Sequence, residues 1–226
     1  MNGLIVAIDG PSGAGKSTLA KSIAKELGFT YLDTGAMYRA LALKAIRQGL
    51  DLTEEGKVAA LARATDIDLV EKNGAVAVVL DGADVVGLIR TPEVSQMASK
   101  ISALKVVRQR LLELQRALGE RGSVVAEGRD IGTVIFPRAE VKVYLDASVE
   151  ERARRRCEEL HRAGREVTLQ DTRQEMEERD KRDSERDLAP LRKAQDALAI
   201  DSSSLNADAV RERVMIEIRK KRLANK

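Results

Sequence analysis

A glycine-rich loop near the start of the chain has the residue types and spacing of a phosphate-binding site. It fits the pattern G-x-x-x-x-G-K-[ST] and consists of Gly10, Pro11, Ser12, Gly13, Ala14, Gly15, Lys16, Ser17 and Thr18. Glycines let backbone N–H groups curve around phosphate oxygens, and the helix after such a loop points the positive end of its dipole at them. We expect Lys16 to reach the β- and γ-phosphates and the Ser17 hydroxyl to ligate Mg²⁺. This phosphate loop predicts that the chain binds a nucleoside triphosphate.

The elements that must position the loop are visible on both sides of it. An apolar run, Leu4–Ile8, precedes it and is typical of a buried strand. After the loop, apolar residues recur at helical spacing until Gly28, a residue that commonly ends a helix. They are Leu19, Ala20, Ile23, Ala24 and Leu27. An accidental Gly-Lys-Ser turn is the weaker interpretation, because this strand–loop–helix frame is the context that the motif requires.

Five short apolar runs, separated by helical patterns, predict an α/β fold with a doubly wound, five-stranded parallel sheet. The predicted strands are Leu4–Ile8, Phe29–Leu32, Val124–Ala126, Val141–Leu145 and Ala197–Ile200. Ligands bind at the carboxyl ends of strands in such sheets. Acidic residues stand at four of these ends, at Asp9, Asp33, Glu127 and Asp146. A last helix is predicted from about Asn206, with Val210, Val214 and Ile218 on one face.

The segment 64–87 does not follow the pattern of the parallel core. Its apolar runs, Ile67–Val70, Val76–Leu80 and Val85–Val86, are separated by Lys72-Asn73-Gly74 and Asp81-Gly82. Asn-Gly and Asp-Gly are strong hairpin signals, so we predict a small antiparallel meander inserted in the chain. A helix then restarts at Thr91-Pro92-Glu93, with proline in its first turn.

The segment Glu150–Asp187 is a dense mixture of charges, with 11 basic and 13 acidic residues among 38. Ser148 and Glu151 predict a capping box at the start of its first helix, and Gly164 interrupts the segment. Two interpretations stay open. The segment is a solvated helical arm, or it is a helical lid whose arginines close over phosphates.

Composition bounds the class of protein. The 226 residues are 43% hydrophobic, enough for one core with small inserted subdomains. The first apolar run is too short for a signal peptide, and no stretch approaches the roughly 20 apolar residues of a membrane span. One cysteine, Cys157, excludes an internal disulfide and a cysteine-built zinc site, and the only histidine, His161, lies in the charged segment. We expect a cytoplasmic protein, a monomer, with no membrane partner.

The charge balance argues against nucleic acid as a partner. The chain has 39 basic and 36 acidic residues, a formal net charge of +3 and no tryptophan. Proteins that bind single-stranded nucleic acid stack bases on several aromatic side chains. This chain has five aromatic residues, without a cluster. The arginines therefore indicate phosphates on a small ligand.

The type of phosphoryl acceptor is indicated by three further stretches. A guanine-reading N-K-x-D motif is missing from the sequence, and Asp84-Val85-Val86-Gly87 matches D-x-x-G only within the predicted meander. In contrast, Asp33–Arg39 follows the second strand, Glu127–Asp130 follows the third, and Arg179–Arg186 forms a charged cluster predicted on one helix. These positions favour a second substrate that carries a phosphate.

The same stretches make the resemblance to a family specific. The chain resembles the bacterial cytidylate kinases, nucleoside monophosphate kinases that move the γ-phosphate of ATP onto CMP or dCMP with Mg²⁺. The matching stretches span nearly the whole chain in the order of the family. They are Ile8–Ser17, Leu32–Arg39, Gly128–Val134, Arg179–Asp183 and Ala189–Leu191.

The resemblance implies a division of the chain and a set of binding residues. It implies core segments at 1–36, 103–153 and 184–226, an inserted monophosphate-binding domain at 37–102, and a charged helical lid at 154–183. The acceptor phosphate would be held by Arg39, Arg129 and Arg186, and planar guanidinium groups suit a bidentate grip on phosphate oxygens. Ser99, Arg108 and Asp130 would bind the cytosine, and Asp183 with Arg179 would bind the sugar. Thr34, where many members have serine, would also bind CMP. Arg154, Arg155 and Arg156 would begin the lid, and Glu127 would hold Mg²⁺ through water.

Two other functions remain open from the sequence. One is a kinase for another small acceptor, such as a different monophosphate or shikimate. The other is a nucleotide- or RNA-binding module without enzymatic activity that uses the basic arm. Steep salt dependence of nucleic-acid binding would indicate the second, whereas ADP release on addition of CMP would exclude it as the main role.

Overall fold

A computed structural model describes residues 3–72, 75–120 and 122–224 of the chain. The elements are β1 Ile5–Asp9, α1 Lys16–Leu27, β2 Thr30–Asp33, α2 Thr34–Arg47, α3 Glu55–Arg63, β3 Ile67–Lys72, β4 Ala75–Leu80, β5 Ala83–Asp84, α4 Pro92–Ile101, α5 Lys105–Gly119, β6 Val124–Gly128, a π-helical turn Ile131–Ile135, β7 Val141–Asp146, α6 Val149–Arg162, α7 Leu169–Glu185, β8 Leu198–Asp201 and α8 Ala207–Ala224. Contacts divide the chain into two compact units. The first unit is Met1–Tyr31 with Gly122–Lys226, and the second unit is Leu32–Arg121.

The large sheet has five strands in the order β2-β6-β1-β7-β8, and β1 is parallel to both of its neighbours. The predicted α/β class and all five predicted strands are confirmed. Each strand nevertheless runs one or two residues further at its carboxyl end than its apolar run. The reason is that backbone pairing continues after burial of apolar side chains has ended, as Asp9 opposite Tyr144 and Asp146 opposite Asp201 show.

The second unit contains a three-stranded antiparallel sheet, β3-β4-β5. The predicted turn at Asp81-Gly82 is confirmed, because both residues have positive φ angles, 48° and 83°, as a two-residue hairpin loop of type I′ requires. In the other predicted turn, Asn73 and Gly74 lie outside the described residues. The prediction of Val85–Val86 as the third strand is wrong, since β5 is Ala83–Asp84.

Strand β5 ends at Asp84, the Val85 N–H still donates to the Val78 carbonyl of β4 at 2.9 Å, and the chain then leaves the sheet for a local reason. Asp84 Oδ1 accepts a hydrogen bond from the N–H of Val86 at 3.0 Å, and the Val85 carbonyl accepts from Leu88 at 2.9 Å. Side-chain bonds of this kind offer the backbone an alternative to a strand ladder. Val85 is only 1% exposed, so its apolar character reflects burial next to the sheet, although it lies outside β5.

Helix ends follow the sequence signals closely. Gly28 ends α1 in the left-handed conformation, Thr91 caps α4 with Pro92 in its first turn, and Asn206 Oδ1 accepts from the N–H of Ala209 at the start of α8. Half of the predicted capping box is present, because Ser148 Oγ accepts from the N–H of Glu151 at 3.2 Å. The other half is wrong. The N–H of Ser148 donates to Ser203 Oγ, and two arginines occupy the Glu151 carboxylate.

The charged segment forms two packed helices, α6 and α7, on either side of Gly164. Their buried residues include Cys157 and Leu160 on α6 and Met176 on α7. Arg186 was predicted on the same helix as Arg179, and this is wrong. The helix ends at Glu185 and Arg186 is extended, because the Asp183 carbonyl accepts from Leu191 at 2.7 Å and turns the chain away.

Helix α5 belongs to the second unit, where α3 and α2 pack against it, although residues 103–153 were predicted as part of the core. The boundaries of a lid at 154–183 stay a prediction. Among the described residues, none of the helices has the length and apolar character needed to cross a bilayer.

Candidate functional site

The phosphate loop connects the end of β1 to the start of α1 in a conformation that depends on glycine. A Cβ atom at Gly10 would lie 1.9 Å from the carbonyl oxygen of Leu145, so only glycine fits there. Gly15, with φ 94°, precedes α1 and supplies no side-chain cap. The first N–H groups of a helix have no partner within it, and here they also lack a side-chain cap. An anion can bind them together with the positive end of the helix dipole.

Lys16 is a buried cation held by the loop itself. Lys16 is only 6% exposed, and its Nζ donates to the carbonyl oxygen of Pro11 at 2.6 Å. Burial, followed by repulsion from Arg129, lowers the pKa of Lys16 to about 7, although the attraction of Glu127 acts to raise it. A buried ammonium beside another cation is unfavourable in the absence of a ligand. An anion such as a phosphate would relieve it.

Arg129, Asp183 and Arg179 form one ion-pair group in the first unit. Arg129 Nε donates to Asp183 Oδ2 at 2.9 Å, and Arg179 Nε lies 3.7 Å from the same oxygen. Burial alone would raise the pKa of Asp183, yet Arg129 and Arg179 hold it below its ordinary value. Burial lowers the pKa of Arg129, but Asp183 raises it above its ordinary value. The structure therefore brings these three predicted residues together with both arginines charged.

Asp130 and Arg186 make a second pair in the same unit. Arg186 Nη2 lies 3.6 Å from Asp130 Oδ1, and Asp130 is 4% exposed. Arg186 Nε also donates to the carbonyl oxygen of Ala189 at 2.8 Å. Ala189 has a φ of 50°, a left-handed conformation that is rare for alanine, so the backbone beyond α7 bends sharply where it holds Arg186.

Glu127 lies in β6 and is 5% exposed. Its Oε1 accepts a hydrogen bond from the hydroxyl of Tyr31 at 2.6 Å. Ser17, in the first turn of α1, is half-buried. Both side chains offer oxygen ligands, which Mg²⁺ prefers. Among the described residues, no group of three or more acidic, histidine or cysteine side chains is placed so that it could hold a metal ion.

The arginines predicted to start the lid pair with their own helix. Arg154 pairs with Glu151 and Glu158, and Arg156 pairs with Glu159 at 2.9 Å. Arg155 pairs with Glu151 and donates to the carbonyl oxygen of Ser202 at 2.7 Å. The residue of α6 that reaches the phosphate loop is a different one.

Arg152 is that residue, and the sequence analysis missed it. Its Nη1 donates to the carbonyl oxygen of Ser12 at 3.1 Å and to Asp180 of α7 at 2.5 Å. Met176 of α7 also lies at the loop, since a Cβ at Gly13 would be 2.8 Å from its terminal methyl group. Arg152 is buried on α6 together with Ala153, Cys157 and Leu160, but it lies at the edge of their face, and its contact with Ser12 is long-range, so helical periodicity does not single it out.

Four predicted residues lie in the second unit: Thr34, Arg39, Ser99 and Arg108. Asp33 caps α2 by accepting from the N–H of Ala36, and it pairs with Arg39 at 3.1 Å. Thr34, the next residue in the sequence, is buried. Ser99 is 4% exposed on α4. Arg108 on α5 donates to the carbonyl oxygen of Ser102 at 3.3 Å and lies over the ring of Tyr38 at 6.0 Å.

Comparison with known proteins identifies the family. The family model described as cytidylate kinase matches residues 6–220. The chain is 50% identical over 222 residues to a cytidylate kinase of Geobacter sulfurreducens, covering 98% of this chain and 95% of that protein. It is 46% identical over 218 residues to the cytidylate kinase of Bacillus subtilis, covering 96% and 97%. A solved structure of an uncharacterized protein from Eubacterium ventriosum shares the fold, with a TM-score of 0.53 at 14% identity and coverage of 95% and 98%. The chain belongs to the cytidylate kinase family.

Proposed function

We propose that the chain transfers the γ-phosphate of ATP to CMP or dCMP, which gives ADP and CDP or dCDP. The observation that carries this function is the arrangement of cations in the first unit. Lys16 is buried with Nζ on the Pro11 carbonyl of the loop, and Arg129 and Arg179, which the resemblance assigns to the acceptor, share the Asp183 carboxylate. After burial, the charges of both arginines also lower the pKa of Lys16. A kinase with a phosphorylated acceptor needs cations on both sides of the phosphoryl group in transfer.

The chemistry requires positioning and charge stabilisation, without a covalent intermediate. The loop residues Gly10–Thr18 hold the triphosphate through backbone N–H groups. Lys16 leaves the Pro11 carbonyl and binds the β- and γ-phosphate oxygens. Arg154 binds ATP, and Arg156 reaches the transferring phosphoryl group once it exchanges Glu159 for phosphate. Exclusion of water by the charged helices keeps ATP from being lost to hydrolysis.

The acceptor-binding roles are likewise proposed. In the first unit, Arg129 and Arg186 bind the phosphate of CMP, Asp183 with Arg179 binds the sugar hydroxyls, and Asp130 binds the base. In the second unit, Arg39 and Thr34 bind the phosphate end, and Ser99 and Arg108 read the cytosine. In support, Asp183 accepts from Nε of Arg129 at 2.9 Å and the Gly128 carbonyl accepts from its Nη1 at 3.3 Å, so the guanidinium that would bind the phosphate is already oriented.

Mg²⁺ fits the residues present and is proposed as the ion bound with ATP. Ser17 would hold it through its hydroxyl, and Glu127 would hold it through a water. When bound, the ion supplies neutralisation of the charge on the β- and γ-phosphates. The hydroxyl of Tyr31 donates to the Glu127 carboxylate at 2.6 Å and so fixes the orientation of that carboxylate.

The choice of base follows from hydrogen bonding. Cytosine offers an amino donor and a ring acceptor, which suit a carboxylate or hydroxyl together with an arginine. Uracil reverses this pattern and leaves buried groups unpaired, so selectivity of up to about 10⁴-fold is attainable.

An ADP-release assay across CMP, dCMP, UMP, AMP and shikimate tests the function. We expect CMP and dCMP well ahead of the others. Equal rates with UMP and CMP would refute base reading, and turnover of shikimate alone would replace the proposed acceptor.

A further inference from the structure

Asp9 connects the phosphate loop to the segment that carries Arg129 and Asp130. It is the last residue of β1, directly before Gly10, and it is 4% exposed. Its Oδ1 accepts a hydrogen bond from the N–H of Ile131 at 2.7 Å, and its Oδ2 accepts one from the N–H of Gly132 at 2.8 Å. Both carboxylate oxygens are therefore directed at the backbone of the neighbouring segment.

These two N–H groups begin the π-helical turn Ile131–Ile135. Within the turn, Ile135 donates to the carbonyl of Asp130 and Phe136 donates to that of Ile131. The N–H groups at the start of a helix have no acceptor inside it, and Asp9 supplies acceptors for both. Arg129 and Asp130 immediately precede these residues, so the carboxylate determines where their backbone lies relative to the phosphate loop.

The fit between Asp9 and Gly132 is close. A Cβ at Gly132 would lie 3.1 Å from the Lys142 side chain, which is a tight contact, and 3.4 Å from Asp9 Oδ2, at the limit of an ordinary one. Asparagine in place of Asp9 would keep one acceptor oxygen, but its NH₂ group would face the second N–H group and could not accept from it. The arrangement therefore needs a carboxylate at 9, and it leaves little room for a side chain at 132.

Keeping this carboxylate ionised is unfavourable for the fold. Burial, with a smaller contribution from the charge of Asp130, raises the pKa of Asp9 to about 6, although the two backbone donors and Lys16 act to lower it. Groups held in a costly ionisation state are concentrated at functional sites.

We propose that Asp9 is a positioning residue for phosphoryl transfer, whose carboxylate holds the Arg129-Asp130 segment in place beside the phosphate loop. The inference rests on the proposed function, because it assigns Asp9 a role in that same reaction. Asp9 acts through Arg129 and Asp130 and not through contact with a substrate.

The test compares Asp9→Asn with Asn206→Ala, a control that removes a side-chain acceptor from the start of α8 in the same unit. We expect kcat for CMP to fall roughly 10- to 100-fold in Asp9→Asn, because small misplacements of binding groups have effects of this size. The Kd of ATP, measured by calorimetry, should change less than about threefold, and Tm should fall no more than in the control. Gly132→Ala should show the same split, and adding it to Asp9→Asn should cause little further loss.

Two results would overturn the role of Asp9. One is a kcat for Asp9→Asn within about threefold of the control; the other is a Kd for ATP that rises as much as kcat falls. If Asp9→Asn does not fold, Gly132→Ala decides, and unchanged turnover in that variant refutes the inference. Failure of the proposed function is distinguishable, since the unsubstituted chain would then turn over no monophosphate in the panel.

Discussion

Two groups of arginines in the first unit differ in how their charge is balanced. Arg154–Arg156 are partly or fully exposed on α6 and pair with glutamates three or four residues away. Arg129 and Arg186 are largely buried and pair with Asp183 and Asp130, residues from distant parts of the chain. Both groups form ion pairs, but the first group forms them at the surface and the second group forms them away from solvent.

This difference in burial indicates which arginines are candidates for binding a ligand. Exposed ion pairs contribute about 0–1 kcal/mol each, so they stabilise α6 slightly and exchange partners easily. Buried ion pairs lose hydration that their attraction barely offsets, so they are weak evidence for stability. Arg129, whose charge repels the buried Lys16, is better explained by an anionic ligand than by the needs of the fold. The exposed arginines can serve a ligand only by giving up their glutamates.

The largest effect is expected at the buried cation of the loop. Lys16→Met should reduce kcat at least about 10³-fold, because a charge-stabilising contact is lost where the phosphoryl group moves. Its Tm at pH 7 should be no lower than that of the unsubstituted chain, since burial lowers the pKa of Lys16 to about 7 and a protonated lysine there is unfavourable. ADP release and circular dichroism measure the two quantities. Unaltered turnover would remove Lys16 from the mechanism.

The second prediction concerns the buried arginines directly. Arg129→Lys exchanges a planar fork for a point charge, and losing one charge-assisted hydrogen bond should weaken CMP binding about 10- to 100-fold. Binding of ATP should change less than about threefold, within the range of a surface substitution. Titration calorimetry with each nucleotide separates the two effects. The matched control is Arg162→Lys, an exposed arginine of α6, and CMP affinity equal to that control would contradict the phosphate role of Arg129.

A smaller effect is expected in the exposed group. Arg156→Ala should lower kcat about tenfold, equal to about 1.4 kcal/mol of transition-state stabilisation. The Kd of CMP should stay unchanged, because Arg156 pairs with Glu159 until transfer. Single-turnover kinetics provide the measurement, with Arg162→Ala as control. A kcat equal to the control would leave the exposed arginines as a solvated surface.

The smallest effect concerns stability. A hydrogen bond from Arg154, supported by one from Arg155, lowers the pKa of Glu151 from 4.5 to about 2, although desolvation acts to raise it. A lowered pKa contributes stability that is present above pH 4.5 and lost as the pH falls towards 2. Glu151→Gln should therefore destabilise the fold by about 0.5 kcal/mol at pH 7 and less at pH 3. Urea unfolding at both values measures this, and a loss that is larger at pH 3 would contradict the assignment.

Much of the fold was predictable because it depends on apolar periodicity and turn chemistry. The five strands, the Asp81-Gly82 turn and the caps at Gly28 and Thr91 all follow from local signals. Long-range competition accounts for the errors. Ser203, distant in sequence, occupies the N–H of Ser148 that a capping box would use.

The site was predictable as a set of residue types and not as a set of partners. The motif identifies Lys16, but nothing local shows that Pro11 holds it or that Arg129 lowers its pKa. Arg152 was missed because its contact with Ser12 joins positions 140 residues apart. Pairings of this kind depend on the register of the sheet, which a single sequence does not specify.

The division of the chain into units has a consequence for the order of events during synthesis on the ribosome. The second unit, Leu32–Arg121, is continuous in sequence, so all of its internal partners emerge together. Strand β1 pairs with β6 and β7, whose residues follow more than a hundred positions later. Domains fold as units during translation, and contacts between distant segments form slowly. The phosphate loop, although it is made first, waits without its strand partners until most of the polypeptide has been translated.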